Sequence, residues 1–247
     1  LGSTGLSRQR MKVLLLGASG LIGPHLLAGL EPYFDLRLAD IKPHPDNRPI
    51  TVVDVRSYDQ VLTAAHGMDA IMNFTVVRPH HHTRSFQVNT LGAWHVMRAA
   101  QEVGIRKVVH TGPQLVRNHY DHDFDITDVP NAPGTGYYEL TKGLSNEICR
   151  TYAKAYGIQT ICFLFNGLGP DPSQLDYGTD FPPYTIIWQD LQQACRLALE
   201  LDVVPDDYQD FDMTSFEGQG KYKADKARRI LGYEPSEPWE DYFKRKI

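Results

Sequence analysis

The chain has 247 residues, 42% hydrophobic and 22% charged, with a formal net charge of −5 at neutral pH. That size suits one moderate domain, or one domain with a small appendage. Acids and bases are interspersed without a basic stripe, which argues against a nucleic-acid partner, and no apolar run is long enough to span a bilayer. No signal-peptide pattern opens the sequence, and Cys149, Cys162 and Cys195 lack CxxC spacing, so a cytoplasmic protein with reduced, buried thiols is expected. Residues 1–10 are polar and precede Met11; they are expected to be a disordered extension or a remnant ahead of a natural start.

Val13 to Leu16 reads as a first strand, followed at once by Gly17-Ala18-Ser19-Gly20-Leu21-Ile22-Gly23 and a helical stretch to Leu30. Strand, tight turn, helix is the setting in which a glycine run binds a dinucleotide. Gly17 permits the turn, Gly20 lets the backbone approach a pyrophosphate, and Gly23 lets the helix pack close to the strand. The helix N-terminus then presents unpaired N–H groups to the phosphates. Leu36 to Asp40 is a second strand ending in a carboxylate, about twenty residues beyond the turn, where it can accept hydrogen bonds from ribose hydroxyls. The same charge repels a 2′-phosphate, so NAD is expected over NADP, an inference that nearby Lys42 softens.

A proline-rich loop, Pro43 to Pro49, leads to a third strand at Ile50 to Val53, ending at Asp54-Val55. Ser57 can cap a helix running to His66, and Ala70 to Phe74 is a fourth strand. A long helix is expected over Phe86 to Val103, closed by Gly104, then a fifth strand at Lys107 to His110 and a polar loop to Gly136. A helix from Tyr137 to Tyr156 stops at Gly157, and Gln159 to Phe165 is the sixth strand. Strands alternating with helices at this spacing imply an α/β, Rossmann-type, doubly wound parallel sheet. We expect residues 11–170 to form this NAD-binding domain and 171–247 a small C-terminal substrate lobe packed on it. That lobe would hold a short strand at Tyr184 to Ile187, a helix from Asp190 to Leu201, a helix over residues 223–233 stopped by glycine, and an amphipathic segment from Trp239.

Tyr138 and Lys142 stand four residues apart on one helix face, so both side chains can enter one cleft. The ammonium would depress the phenol pKa, making Tyr138 usable as a general base in alcohol oxidation. The loop after the fourth strand, from Thr75 through Arg78 to Arg84, should open onto the substrate, where Arg78 could pair bidentately with a sugar carboxylate or merely face solvent. Asn166, just past the sixth strand, is a further substrate candidate. The run His80-His81-His82 and the group His119, Asp121, His122, Asp123 invite a metal reading, but adjacent residues in an extended segment face opposite ways, so no metal is expected.

From Met11 onward the chain resembles the short-chain dehydrogenase/reductases, in the extended branch that includes nucleotide-sugar epimerases and dehydratases. The resemblance rests on Gly17 to Gly23, Asp54-Val55, Asn89 followed by Gly92, Tyr138 to Lys142, Asn166-Gly167-Leu168-Gly169-Pro170 and Leu231 to Pro235. The short C-terminal region, Leu36 to Asp40 and the segment 237–247 are similar to the uronate dehydrogenases within that branch. The resemblance implies NAD contacts at Gly17, Ser19, Gly20, Leu21, Ile22, Gly23, Asp40, Asp54 and Val55, and at Phe74, Thr75, Val76, Asn89, Tyr138, Lys142 and Leu164. It implies a small sugar or sugar-acid substrate against Arg78, Gln114, Tyr138 and Asn166, and a homodimer formed through the two long helices.

Two departures bear on activity. The family places a serine or threonine hydroxyl beside the tyrosine, where this chain has Gly112 or Pro113; Gln114 could replace it, and Thr111 only with a shifted loop. Phe163 stands where many relatives carry arginine. A nucleotide-sugar epimerase or dehydratase that recycles NAD, and a catalytically silent NAD-binding regulatory protein, therefore remain as alternatives.

Overall fold

The computed structural model describes residues 9–77, 81–117, 129–169, 184–215 and 223–236. Strand β1 (Lys12–Leu16) is buried on both faces, as a continuous apolar run in a parallel sheet must be. Strand alternation sends Val13 and Leu15 into one core and Leu14 and Leu16 into the other. On either side, β1 pairs in parallel with β2 (Asp35–Asp40) and β4 (Ala70–Asn73). Adding β3 (Thr51–Val52), β5 (Lys107–Pro113), β6 (Gln159–Phe165) and β9 (Tyr208–Asp212) gives one seven-stranded parallel sheet of order β3-β2-β1-β4-β5-β6-β9. The order reverses direction at β1, and the crevice between the β1 and β4 ends is where ligands of such sheets bind. Two short strands, β7 (Gly167–Gly169) and β8 (Thr185–Ile187), pair separately.

Helices cover both faces. On one lie α1 (Gly23–Leu30), α6 (Trp188–Glu200) and α7 (Asp225–Leu231), whose apolar sides enclose Val13, Leu15, Met72 and Phe163. On the other lie α2 (Tyr58–Ala65), α4 (Gly92–Val103) and α5 (Tyr137–Tyr156), over Leu14, Ile71, Val108 and Cys162. Gly104, Gly157 and Gly232 end α4, α5 and α7 in the left-handed region, where no Cβ has to be accommodated. All three cysteines are free thiols, buried in these cores.

Several boundaries differ from the sequence reading for identifiable reasons. The helix expected from Phe86 begins at His82 with α3 (His82–Ser85) and passes through a π-helical turn (Phe86–Leu91) before α4. Ser57 occupies the N-cap of α2, but its hydroxyl makes no capping hydrogen bond. Strand β5 continues past His110 through Gly112 and Pro113, because a proline is tolerated at a strand end, where its missing N–H is not needed.

The region after 170 is tied into the main body. Its β9 is the seventh strand, beside β6, and α6 packs on α1. Arg117, in a 3-10 turn (Gln114–Arg117) and 1% exposed, pairs with Asp210 at 2.7 Å and with Asp212, both on β9. The segment from Trp239 lies outside the described residues, as do residues 1–8.

Candidate active site

A cavity of about 830 Å³ runs along the C-terminal ends of the strands. Its walls are the turns after β1 to β4, the ends of β5 and β6, and the first turns of α5. That volume lies within the range of small-molecule and cofactor sites.

The half beside β1 and β2 has the form of a phosphate and ribose cradle. Gly17 sits at φ +86°, and a Cβ there would stand 2.8 Å from the Phe74 carbonyl, so only glycine fits. Gly20 turns back on it, its N–H donating to the Gly17 carbonyl at 3.0 Å, and it faces the cavity with Leu21 and Ile22. Gly23 lies behind this wall, where a Cβ would meet the Ala18 backbone at 2.5 Å, which is what lets α1 press against the turn. Ser19 is not on the wall. Its N–H donates to Asp40 Oδ2 at 3.0 Å and its hydroxyl to the Lys42 carbonyl at 3.0 Å, lashing the glycine turn to the end of β2. Asp40 faces the cavity, its other oxygen accepting from the Lys42 N–H at 3.1 Å.

Farther along, Asp54 and Val55 line the cavity together with Arg56, which sequence reasoning did not single out. The Arg56 guanidinium holds both Asp54 oxygens, with Nε at 3.0 and 2.9 Å and Nη2 at 2.5 Å. These hydrogen bonds keep the Asp54 carboxyl below the usual carboxylate range.

Across the crevice, Phe74, Thr75 and Val76 form the wall after β4, and Tyr138 and Lys142 reach it from α5. Lys142 is 2% exposed and its Nζ has no hydrogen-bond partner among the described residues. Burial pushes its pKa down to about 8. Beneath it, His110 on β5 is wholly enclosed, with Nε2 3.0 Å from Ser145 Oγ and Nδ1 3.4 Å from Asn73 Nδ2. Burial, then the neighbouring Lys142 charge, hold that imidazole well below its ordinary pKa and therefore neutral.

Some expected contacts are placed elsewhere. Asn89 turns its carboxamide away from the cavity. Its Oδ1 accepts from the Val77 N–H at 2.9 Å, and its Nδ2 donates to the Val77 carbonyl at 3.3 Å and to Thr141 Oγ1 at 3.0 Å. Thr141 in turn donates to the Tyr138 carbonyl at 3.1 Å, so Asn89 braces the loop after β4 against the helix that carries Tyr138. Leu164 lies in the α4 and α5 core, and its neighbour Phe165 lines the cavity instead, the consequence of strand alternation. Gln114 is fully enclosed and off the wall; its Oε1 accepts from Asn166 Nδ2 at 3.2 Å, and Asn166 itself is on the wall. Thr111, Gly112, Pro113 and Leu115 also line it. Phe163 is a core residue, its ring 6.3 Å from that of Phe211. Arg78, His119 and His122 lie outside the described residues. Among the described residues no histidine, cysteine and carboxylate cluster could hold a metal ion, and no helix is long and apolar enough to cross a membrane.

A doubly wound sheet with a glycine turn, a carboxylate at the end of β2 and a Tyr138-Lys142 pair at one crevice defines a dinucleotide-dependent protein. Residues 13–196 match the NAD dependent epimerase/dehydratase family, and the chain belongs to that family. It is 30% identical to uronate dehydrogenases of Pseudomonas syringae pv. tomato and Pseudomonas putida, over 65% and 66% of this chain. Those matches span 61% and 63% of the relatives' own lengths. An NAD-dependent glucose-6-phosphate dehydrogenase of Haloferax volcanii is 23% identical, with 91% of this chain and 93% of that protein covered. Among solved structures, a glucuronic acid dehydrogenase from Chromohalobacter salexigens shares the fold, with a TM-score of 0.80 at 19% identity, covering 95% of this chain and 89% of the other. The cofactor of the family is NAD. The glycine cradle, the Asp40 carboxylate and the unpartnered, buried Lys142 Nζ fit it.

Proposed function

We propose that this chain is an NAD-dependent oxidoreductase that oxidises a hydroxyl of a small sugar or sugar acid. The observation that carries the reading is that Tyr138 and Lys142 line the same cavity as the glycine turn and Asp40, facing them across it. The 30% identity to uronate dehydrogenases points to the substrate class.

NAD, when bound, supplies the hydride acceptor. The glycine turn and the α1 N-terminus hold its phosphates, and Asp40 accepts from the adenosine ribose. Arg56, fixed by Asp54, borders the adenine end. Lys142 in its charged form stabilises the Tyr138 phenolate and holds the nicotinamide ribose, and Tyr138 takes the proton from the substrate hydroxyl. Asn166 orients the substrate, and Arg78 pairs with its carboxylate; an Arg78→Ala variant with unchanged KM for an acidic sugar would remove that last element.

The test is NADH formation from NAD with free uronic acids, aldoses and nucleotide sugars, run beside Tyr138→Phe. NADH accumulating with a free sugar and falling by about 10² to 10⁴ in the variant supports the dehydrogenase. NAD binding without NADH accumulation favours cofactor recycling, seen as converted nucleotide sugar, or a silent NAD-binding protein, for which Pro113 on the cavity wall is the motive. We also propose a homodimer through the faces of α5 and of α4 with its preceding π-helical turn, where Leu91, Leu144 and Tyr156 stay exposed. A monomer in sedimentation at micromolar concentration would contradict it.

A further inference from the structure

The end of β5 departs from its family at the point closest to the chemistry, and the geometry there points to a replacement that the sequence had made look remote. Strand β5 stays in register with β6 to its last residue, with Thr111 opposite Phe163, Gly112 opposite Leu164 and Pro113 opposite Phe165. Alternation therefore puts Thr111 and Pro113 on one side and Gly112 on the other. The surroundings of Gly112 agree: a Cβ there would point at Leu164 and Asn146, 3.0 and 3.2 Å away, into the α5-side core. Pro113 reaches the cavity but carries neither a hydroxyl nor an N–H.

The other candidate donors are engaged or hidden. Gln114 is enclosed and off the wall: its oxygen accepts from Asn166, and its Nε2, though without a partner among the described residues, is buried away from the cavity lining. The Thr75 hydroxyl, across the crevice, donates to Asn73 Oδ1 at 2.7 Å. Thr111 is different: it lies on the cavity wall, and no hydrogen bond ties its hydroxyl to another described residue. No shift of the loop is needed to bring it there, because the regular strand already does so.

We propose that Thr111 donates the hydrogen bond to the reacting substrate oxygen that the family draws from a hydroxyl two residues further along the strand. The proposal rests on the dehydrogenase reading above. As the substrate O–H bond breaks, its proton passes to Tyr138; the C–H electron pair leaves as hydride to NAD, giving carbonyl and NADH. Thr111 Oγ–H stays bonded to the substrate oxygen throughout, meeting the negative charge that collects there. Because that bond strengthens as charge develops, its loss shows mainly in kcat and leaves NAD affinity untouched.

The experiment compares wild type with Thr111→Val, Thr111→Ser, Pro113→Ser and Thr111→Val/Pro113→Ser, measuring kcat by NADH formation over the sugar panel and NADH affinity by fluorescence titration. We expect Thr111→Val to lower kcat by about 100-fold at unchanged NADH affinity, Thr111→Ser to stay within about threefold of wild type, and the added Pro113→Ser to recover at least about tenfold. Thr111→Ala replaces Thr111→Val should the latter fail to bind NADH. Turnover in Thr111→Val or Thr111→Ala within about threefold of wild type overturns the proposal and leaves the dehydrogenase standing. An inactive wild type with an active Pro113→Ser also overturns it, since Thr111 then does not suffice, while the substrate reading survives. No NADH from either protein, with NADH bound by both, removes the dehydrogenase reading and Thr111 with it.

Discussion

The two halves of the cavity are built on different physical bases. The half after β1 to β3 is a backbone device: a glycine at φ +86°, N–H groups aimed at Asp40, and a surface ion pair between Asp54 and Arg56. The half after β5 and β6 rests on side chains packed into the core: Lys142 on the wall without a hydrogen-bond partner among the described residues and, behind the wall, neutral His110 and Arg117 clamped to β9. Backbone cradles tolerate little sequence change because sterics define them. Side-chain sites can exchange one donor for another, and the two departures read in the sequence, at Gly112-Pro113 and at Phe163, fall on β5 and β6. If the contrast is sound, changes in the second half should act mainly on folding and turnover, and changes in the first mainly on cofactor affinity.

The largest expected effect is at Arg117. Replacing it with Met takes the guanidinium away from the buried Asp212 and the partly buried Asp210, while Lys226 stays 3.5 Å from Asp210. Breaking a buried pair from one side costs about 3–5 kcal/mol, so the denaturation midpoint should fall accordingly. NADH affinity of the fraction that stays folded should hardly change; a cofactor-specific defect would break the division between the halves.

Lys142 should move stability the other way. Its folded pKa of about 8 lies below the ordinary lysine value, so the unfolded chain binds the extra proton between these pH values and stability rises with pH across that window. Below pH 8 the penalty of burying the charge is fully present. Lys142→Met should therefore stabilise the cofactor-free protein on the order of 2–3 kcal/mol at pH 7, while abolishing most activity. The gain should shrink as pH climbs from about 8 to 10.5, read as the difference in urea midpoints at pH 7 and pH 10. A gain that is constant with pH would place the ammonium in water rather than in the core.

The same division governs what could be read in the sequence. Gly17, Asp40, Tyr138 and Lys142 were legible because each depends on local spacing: a turn, a strand end, or one face of a helix. Strand β9 was not. Asp210 and Asp212 break its apolar pattern, and the cation that pairs with them is Arg117, far away in the chain. Leu164 was expected at the cofactor and Phe165 is on the wall: the bounds of β6 were read as they stand, but a wholly apolar strand does not say which of its two alternating faces meets the cavity. Thr111 was discounted because Gly112-Pro113 reads as a break, whereas pairing to β6 carries the strand through both. Asn89 was legible as a position but not in its orientation, which the Val77 loop decides.

On the nucleotide side, Gly17→Ala introduces a Cβ against the Phe74 carbonyl in a backbone conformation that L-residues avoid. The strain costs about 1–3 kcal/mol, drawn either from stability or, if the turn shifts, from NADH affinity. Unchanged values of both would mean that the turn has a second conformation.

The smallest effect expected is at Asp40, and it is the most discriminating. Its carboxylate already accepts from Ser19 and Lys42 N–H groups, so it holds the turn as well as offering an acceptor to the ribose. Asp40→Ala should weaken NADH about tenfold, the scale of one hydrogen bond to a charged group, with only a small loss of stability because the Lys42 N–H is exposed and the Ser19 N–H only partly buried. NADPH should gain relative to NADH in the variant, since the charge opposing a 2′-phosphate is gone while Lys42 remains on the wall. Equal affinity of wild type for the two cofactors would show that Lys42 already offsets Asp40. The first half of the cavity would then be as open to exchange of side chains as the second.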